Sequence, residues 1–175
     1  MAIAFIGVVI ALAVWLKPNR SAIAGGASMI LFNIGEGTHG DQYGGISLLP
    51  DAALSTRFLV AKVGATPGTT AAICTSTDIP LGIFQDQTLA VGGADDLTMP
   101  VAIRLFGSAT ETRKVAINST VSYGDWLIVD SANPGFAKTD PATASTTVWV
   151  IGRALLAGAA GDTIEMDPFL RQVTH

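Results

Sequence analysis

Gly35, Gly37 and Gly40 stand at GxGxxG spacing, the arrangement that cradles a dinucleotide pyrophosphate when a strand precedes it and a helix opens on it. Ile30 to Ile34 reads as the strand. The helix is missing, because Asp41-Gln42-Tyr43-Gly44-Gly45 follows, and no acidic residue lies between Asp51 and Asp78 to take a ribose hydroxyl. The six residues therefore read as a flexible Gly-rich loop or arm. Asp95-Asp96 in another Gly-rich stretch has the ligand type for a cation, yet two acids in such a stretch ordinarily make a solvated turn. Cys74 has no histidine near it in sequence and sits in an apolar strand, which favours a buried small hydrophobe over a nucleophile. His39 and His175 form no ligand-spaced pair, and neither a GxSxG elbow nor a GxxxxGK[ST] loop occurs. Tyr123, Trp126 and Trp149 are the residues a glycan or small-molecule platform would use, although Trp in a strand belongs more often to a core. These residue types point to no catalytic, cofactor-binding or metal-ligating set.

The elements around them are short and extended. Charged residues make up 14% of the 175, against roughly a quarter in an average soluble protein. Gly is abundant, and long Glu/Lys/Leu runs are absent, so many strands and turns are favoured over helices. The clearest pair lies near the end: apolar Val148 to Leu156, with a lone Gly152 where a bulge or close backbone approach is expected, then Thr163 to Pro168. In the latter, Ile164 and Met166 fall on one face and Thr163, Glu165 and Asp167 on the other. Further strands are expected at 57–63, 70–74, 78–84, 97–106, 110–117, 126–130 and 136–138, with turns at Pro67-Gly68 and Asn133-Pro134-Gly135. Residues 48–56 read as a turn or one helical turn. The fold class is all-β, a small β-barrel or sandwich of short strands, with Leu59, Ile83, Ile103, Leu127, Val150, Ile151, Leu155 and Ile164 in its core. Arg153, a charge within the most apolar strand, is expected to meet a carboxylate or backbone carbonyls, or to lie at a subunit contact.

Two compositional facts limit the partners. A net charge of −4 with no basic stripe argues against nucleic acid. A single cysteine excludes an intramolecular disulfide. Residues 1–28 form a hydrophobic N-terminal extension before the β-domain of 29–175 and its Gly-rich arm at 34–45. Ala2 to Leu16 is an unbroken apolar run that would rise about 22 Å as a helix, short of the ~30 Å hydrocarbon layer. An export signal, a short membrane anchor, an arm buried in an assembly and a true start at Met29 all remain open for it.

The order of several segments resembles the small capsid decoration, or cement, proteins of tailed bacteriophages and prophages. The likeness is carried by Leu49-Pro50-Asp51-Ala52-Ala53-Leu54-Ser55-Thr56-Arg57-Phe58-Leu59-Val60, by Asp78 to Ile83, and by Val101 to Gly107. Gly124-Asp125-Trp126-Leu127, Val150 to Leu155 and Gly161 to Pro168 complete it, within residues 33 to 168. The resemblance implies a non-enzymatic structural protein on the outside of a virion, without cofactors. It would bind the major capsid protein, often as a homotrimer, and resist internal DNA pressure. Ile34, Gly35, Gly37, His39, Tyr43 and Arg153 are then the candidate capsid or subunit contacts, and the 34–45 arm and the loop around Asp95 the parts that settle on the lattice. The hydrophobic residues 1–28 depart from the family pattern. They favour the alternative of a membrane-anchored or exported bacterial β-domain with a binding role.

Overall fold

A computed structural model describes residues 45–88, 90–91, 94–107 and 111–175, and among these the secondary structure is strand without helix. The first strands are β1 (Gly45–Pro50), β2 (Val60–Val63), β3 (Thr70–Ile73) and β4 (Gly82–Phe84). A small hairpin, β5 (Ala90–Val91) with β6 (Ala94–Asp95), precedes β7 (Val101–Leu105). Strands β1, β3, β2, β4 and β7 close in that order into a barrel. Closure comes from β1, which pairs parallel to β3 and antiparallel to β7, Leu48 standing opposite Val101. Gly82 allows β4 to lie against β7, since a Cβ there would run into the Arg104 carbonyl oxygen. Leu48, Leu54, Leu59, Ala61, Ala71, Phe84, Val101 and Ile103 fill the interior.

The rest of the chain forms a second sheet. Its strands are β8 (Arg113–Ala116), β9 (Trp126–Val129), β10 (Ala137–Thr139), β11 (Thr147–Ala154) and β12 (Thr163–Thr174), in the order β10-β9-β11-β12-β8. One parallel bridge between Ile117 and Ala137 brings its two outer strands together. Its inner residues, among them Val115, Leu127, Val129, Ile151, Ile164 and Met166, share one core with Val60, Cys74, Ile83 and Phe106 of the barrel segment. Strand alternation explains this sharing. Leu59 and Ala61 point into the barrel, so Val60 between them points out, and the barrel's outer wall closes the second core.

The seam between the halves is also hydrogen-bonded. The Val60 amide donates to the Gly135 carbonyl at 2.7 Å, and the Gly135 amide donates to the Cys74 carbonyl at 2.8 Å. The Ala116 amide donates to the carbonyl of Phe58, which packs against both cores at a left-handed φ of 63°. Asp130 holds the turn that presents Gly135: its buried carboxylate accepts from the Ala132 amide (3.1 Å), from Asn133 Nδ2 (2.8 Å) and from Lys138 Nζ (3.1 Å). Burial alone would raise its pKa, but the bonds from Asn133, Ala132 and Lys138 outweigh that and bring it below 3.8. Its stabilisation is therefore whole above the unfolded value and is lost as pH falls through the lowered folded one. An Asp130→Asn variant should show a shallower loss of stability below about pH 4 than the native chain in acid titrations followed by urea unfolding. Equal slopes would show that the carboxylate does not hold the turn.

The all-β class, the terminal strand pair and most expected strands are present. Gly152 sits at a register shift, close against Pro168 and the Asp167 carbonyl. Seven of the eight expected core residues are buried. The exception is Leu155, half-buried, because Ala154 takes the inward position at the end of β11 and the next side chain faces the other way. Residues 48–56 do not make a helical turn, since β1 runs to Pro50 before the chain bends, and Gly45 belongs to that strand rather than to an arm. β12 passes through Pro168 to Thr174, a proline tolerated because it stands at the bulge.

Candidate interaction surface

Alternation and one bulge build the most distinctive surface. On β9, Leu127 and Val129 face the core, so Trp126 faces out and is 39% exposed. Arg153 of β11 stands beside it in register, and Asp167 of β12 stands beside Arg153. At the bulge, Phe169 and Leu170 of β12 oppose the single Ile151 of β11. Leu170 packs inward, and Phe169 meets Trp126 edge-on with centroids 6.4 Å apart and planes at 83°. The Arg171 guanidinium lies 4.3 Å from the Trp126 ring centroid, a cation–π arrangement. Tyr123, 73% exposed, and Leu156 extend the surface at the same end.

Arg153 itself is exposed, and its Nε donates to the Gly124 carbonyl at 3.0 Å. Its guanidinium lies close against Gly124, whose φ is 89° and at which a Cβ would stand 3.2 Å from Arg153 Nη2. The Gly124 carbonyl is thus one expected kind of partner that Arg153 meets. Trp126 departs from the expectation that a strand tryptophan belongs to the core, whereas Trp149 is half-buried. Ile34, Gly35, Gly37, His39 and Tyr43 lie outside the described residues, as do the GxGxxG stretch and the apolar run at 2–16. No helix among the described residues is long and apolar enough to cross a membrane.

Residues with chemical potential are otherwise engaged. Asp95 accepts from the Thr88 hydroxyl at 2.7 Å, and that hydroxyl oxygen accepts from the Leu54 amide, so the Asp95 segment is tied to the barrel. Asp96 takes the amide and hydroxyl of Thr98. No cluster of three or more metal-ligating side chains occurs among the described residues. A cleft of about 570 Å³ beside Thr88 has an Arg57–Asp86 ion pair at 3.6 Å among its lining. His175 pairs with Asp140 at 2.8 Å, which gives it a clasp role between β12 and the segment before β11.

Cys74 is fully buried, and burial, reinforced by the Asp78 carboxylate and opposed by Lys62, pushes its thiol up to about 12. At pH 8 it should resist a thiol reagent in the folded protein and react at once in denaturant. Rapid labelling of the folded chain would show that the seam opens readily.

Two buried polar residues carry more than their sequence context suggested, Asp130 and Arg113. The signal for Arg113 was present, since period two places it on the same face as Val115 and Ile117.

No known family profile matches the chain, and no curated protein matches it. Among solved structures, the N base of head fiber gp8.5 of bacteriophage phi29 is similar at a TM-score of 0.49 with 17% identity, over 75% of this chain and 98% of that one.

Proposed function

We propose that this protein is a non-catalytic structural protein that binds the exterior of a tailed-phage capsid and stiffens it. The observation that carries the reading is the outward cluster of Trp126, Phe169, Arg153 and Arg171 on the second sheet. Exposed Trp, Tyr and Arg are the residue types that dominate protein–protein contacts. The ordered segments that resemble decoration proteins support the major capsid protein as the partner. A homotrimer at the junction of capsomers is the assembly that fits, with Arg153 at a contact and Ile34, Gly35, Gly37, His39 and Tyr43 in an arm laid on the lattice. Many modest contacts then sum by multivalency into firm attachment.

The test adds purified protein to particles that lack it and measures both density on the shell and survival on heating. Full occupancy with raised heat resistance is expected. A Trp126→Ala, Arg171→Glu variant should bind at least about tenfold more weakly while remaining folded. Removal of residues 1–40 should also lower occupancy. Absence of added density would sink the capsid reading and favour the membrane-anchored or exported domain that the run Ala2 to Leu16 suggests. Full density with unchanged heat resistance would leave a bound ornament without a cementing role.

A further inference from the structure

β12 is 12 residues long, but its two neighbours cover unequal shares of it. β11 pairs along one side from Met166 to Thr174, whereas β8 covers the other side only from Thr163 to Met166. Among the described residues, no strand stands against that second side beyond Met166. Period two sets the direction of the backbone groups there. The Glu165 carbonyl accepts from the Leu155 amide, and the His175 amide donates to the Thr146 carbonyl, so the odd-numbered residues turn to the β11 side. The bulge leaves this phase intact, because Asp167 stands beside Arg153 and both Phe169 and Arg171 meet Trp126, all on the outward face. Leu170, Gln172 and Thr174 accordingly turn their amides and carbonyls to the open edge, and Gln172 and Thr174 are exposed. Pro168, which has no N–H, closes that edge at one end.

An open edge of this kind takes an extended chain, held by main-chain hydrogen bonds while alternate side chains set the preference. We propose that the β12 edge from Phe169 to Thr174 receives an extended acidic segment of the capsid partner, added as the next strand. The owner of that segment rests on the capsid reading above, and its chemistry rests on the edge alone. Arg171 is the one charge in Phe169 to Thr174, and it forms no ion pair among the described residues. Its stack on Trp126 occupies one face of the guanidinium and leaves the in-plane N–H groups for an oxygen acceptor. A glutamate on the outward face of the added strand is long enough to reach them. Apolar residues two positions to either side of it then meet Phe169 and Val173. A second copy of this chain does not match that chemistry. Antiparallel pairing of two such edges sets Arg171 opposite Phe169, Arg171 or Val173 and brings it no carboxylate.

Two peptides test the edge without any particle. Both are short threonine strands with a central glutamate or a central lysine, and with valine two positions to either side. Each is titrated to about millimolar concentration against the full-length protein and followed by amide NMR, which registers weak binding. The glutamate peptide should shift the signals of Leu170, Gln172 and Thr174 and bind at least about fivefold more tightly than the lysine one. Arg171→Glu should reverse that order. Gln172→Pro removes one edge N–H and sets a ring where the added strand would lie, a change an edge strand tolerates. It should weaken the glutamate peptide at least about tenfold. No shift at those amides, equal affinity for the two peptides, or native affinity in Gln172→Pro would overturn the proposal. If that proline variant does not fold, an order left unreversed in Arg171→Glu overturns it instead. Self-association of the native chain that Gln172→Pro abolishes would assign the edge to a second copy and overturn it too. On particles, native occupancy by Gln172→Pro would overturn it, whereas no density from the native chain defeats only the capsid reading and leaves the peptides to decide the edge.

Discussion

Gly135→Val should abolish stable folding, because three constraints meet at this one residue. Its φ of 83° lies in the left-handed region, which a β-branched side chain enters only at a cost of about 1–2 kcal/mol. A Cβ would stand 2.7 Å from Ile73 Cγ2 and within 3.3 Å of Leu59, both packed in the barrel half. Its amide and carbonyl also make two of the hydrogen bonds that join the halves. Moving the backbone to make room breaks those bonds, and leaving it in place overpacks a dense interior. The summed loss of about 4 kcal/mol or more is comparable to the whole stability of a small domain. Thermal unfolding followed by tryptophan fluorescence reads this directly. A variant that melted within a few degrees of the native chain would show that the seam yields without effect.

Ile164→Asp is the second large effect. Ile164 is 2% exposed, faces the second core, and its Cγ2 approaches Gly158 closely beside Ile117. The change removes about 1.5–3 kcal/mol of apolar burial and inserts a carboxylate among apolar side chains, the cation on that face, Arg113, standing one pair further along opposite Met166. Its cross-strand neighbour is Val115, which offers no donor side chain. We expect insoluble protein, or a soluble chain without a cooperative melt. Ile164→Val should cost only about 0.5–1.5 kcal/mol and so reports packing separately from charge. A cooperative melt in the aspartate variant would mean that the position hydrates, and the buried core would have to be redrawn.

Much of the fold was readable wherever the pattern is local. The alternation of Ile164 and Met166 against Thr163, Glu165 and Asp167 fixes the inner face of β12, and the lone Gly152 marks the bulge. β1 was missed because Ile46 and Leu48 alternate over only six residues between Gly-Gly and a proline. Its strand character comes from distant partners, β7 and β3, which no local period can reveal. The end of β12 was missed for the opposite reason: Pro168 reads as a terminator unless the bulge across from it is known. The interaction surface was legible in residue type but not in direction. Trp126 was in view, but only the inward phase of Leu127 and Val129 shows that its ring points out. Arg171, which stacks on it, lies beyond the point where the strand was expected to end.

The closure of the barrel by β1 has a consequence for how the chain folds. During synthesis β1 emerges early, yet its antiparallel partner β7 follows more than about fifty residues later. Until then β1 has only the parallel pairing to β3, and the barrel wall that closes the second core is incomplete. A loop of that length must be closed before its contacts give any return, so the barrel should form in the slow regime of milliseconds to seconds typical of nonlocal β topologies. The second sheet cannot run ahead, because Val60, Cys74 and Ile83 belong to its core. The two halves should therefore appear in a single kinetic phase, with β1 among the last strands to be locked.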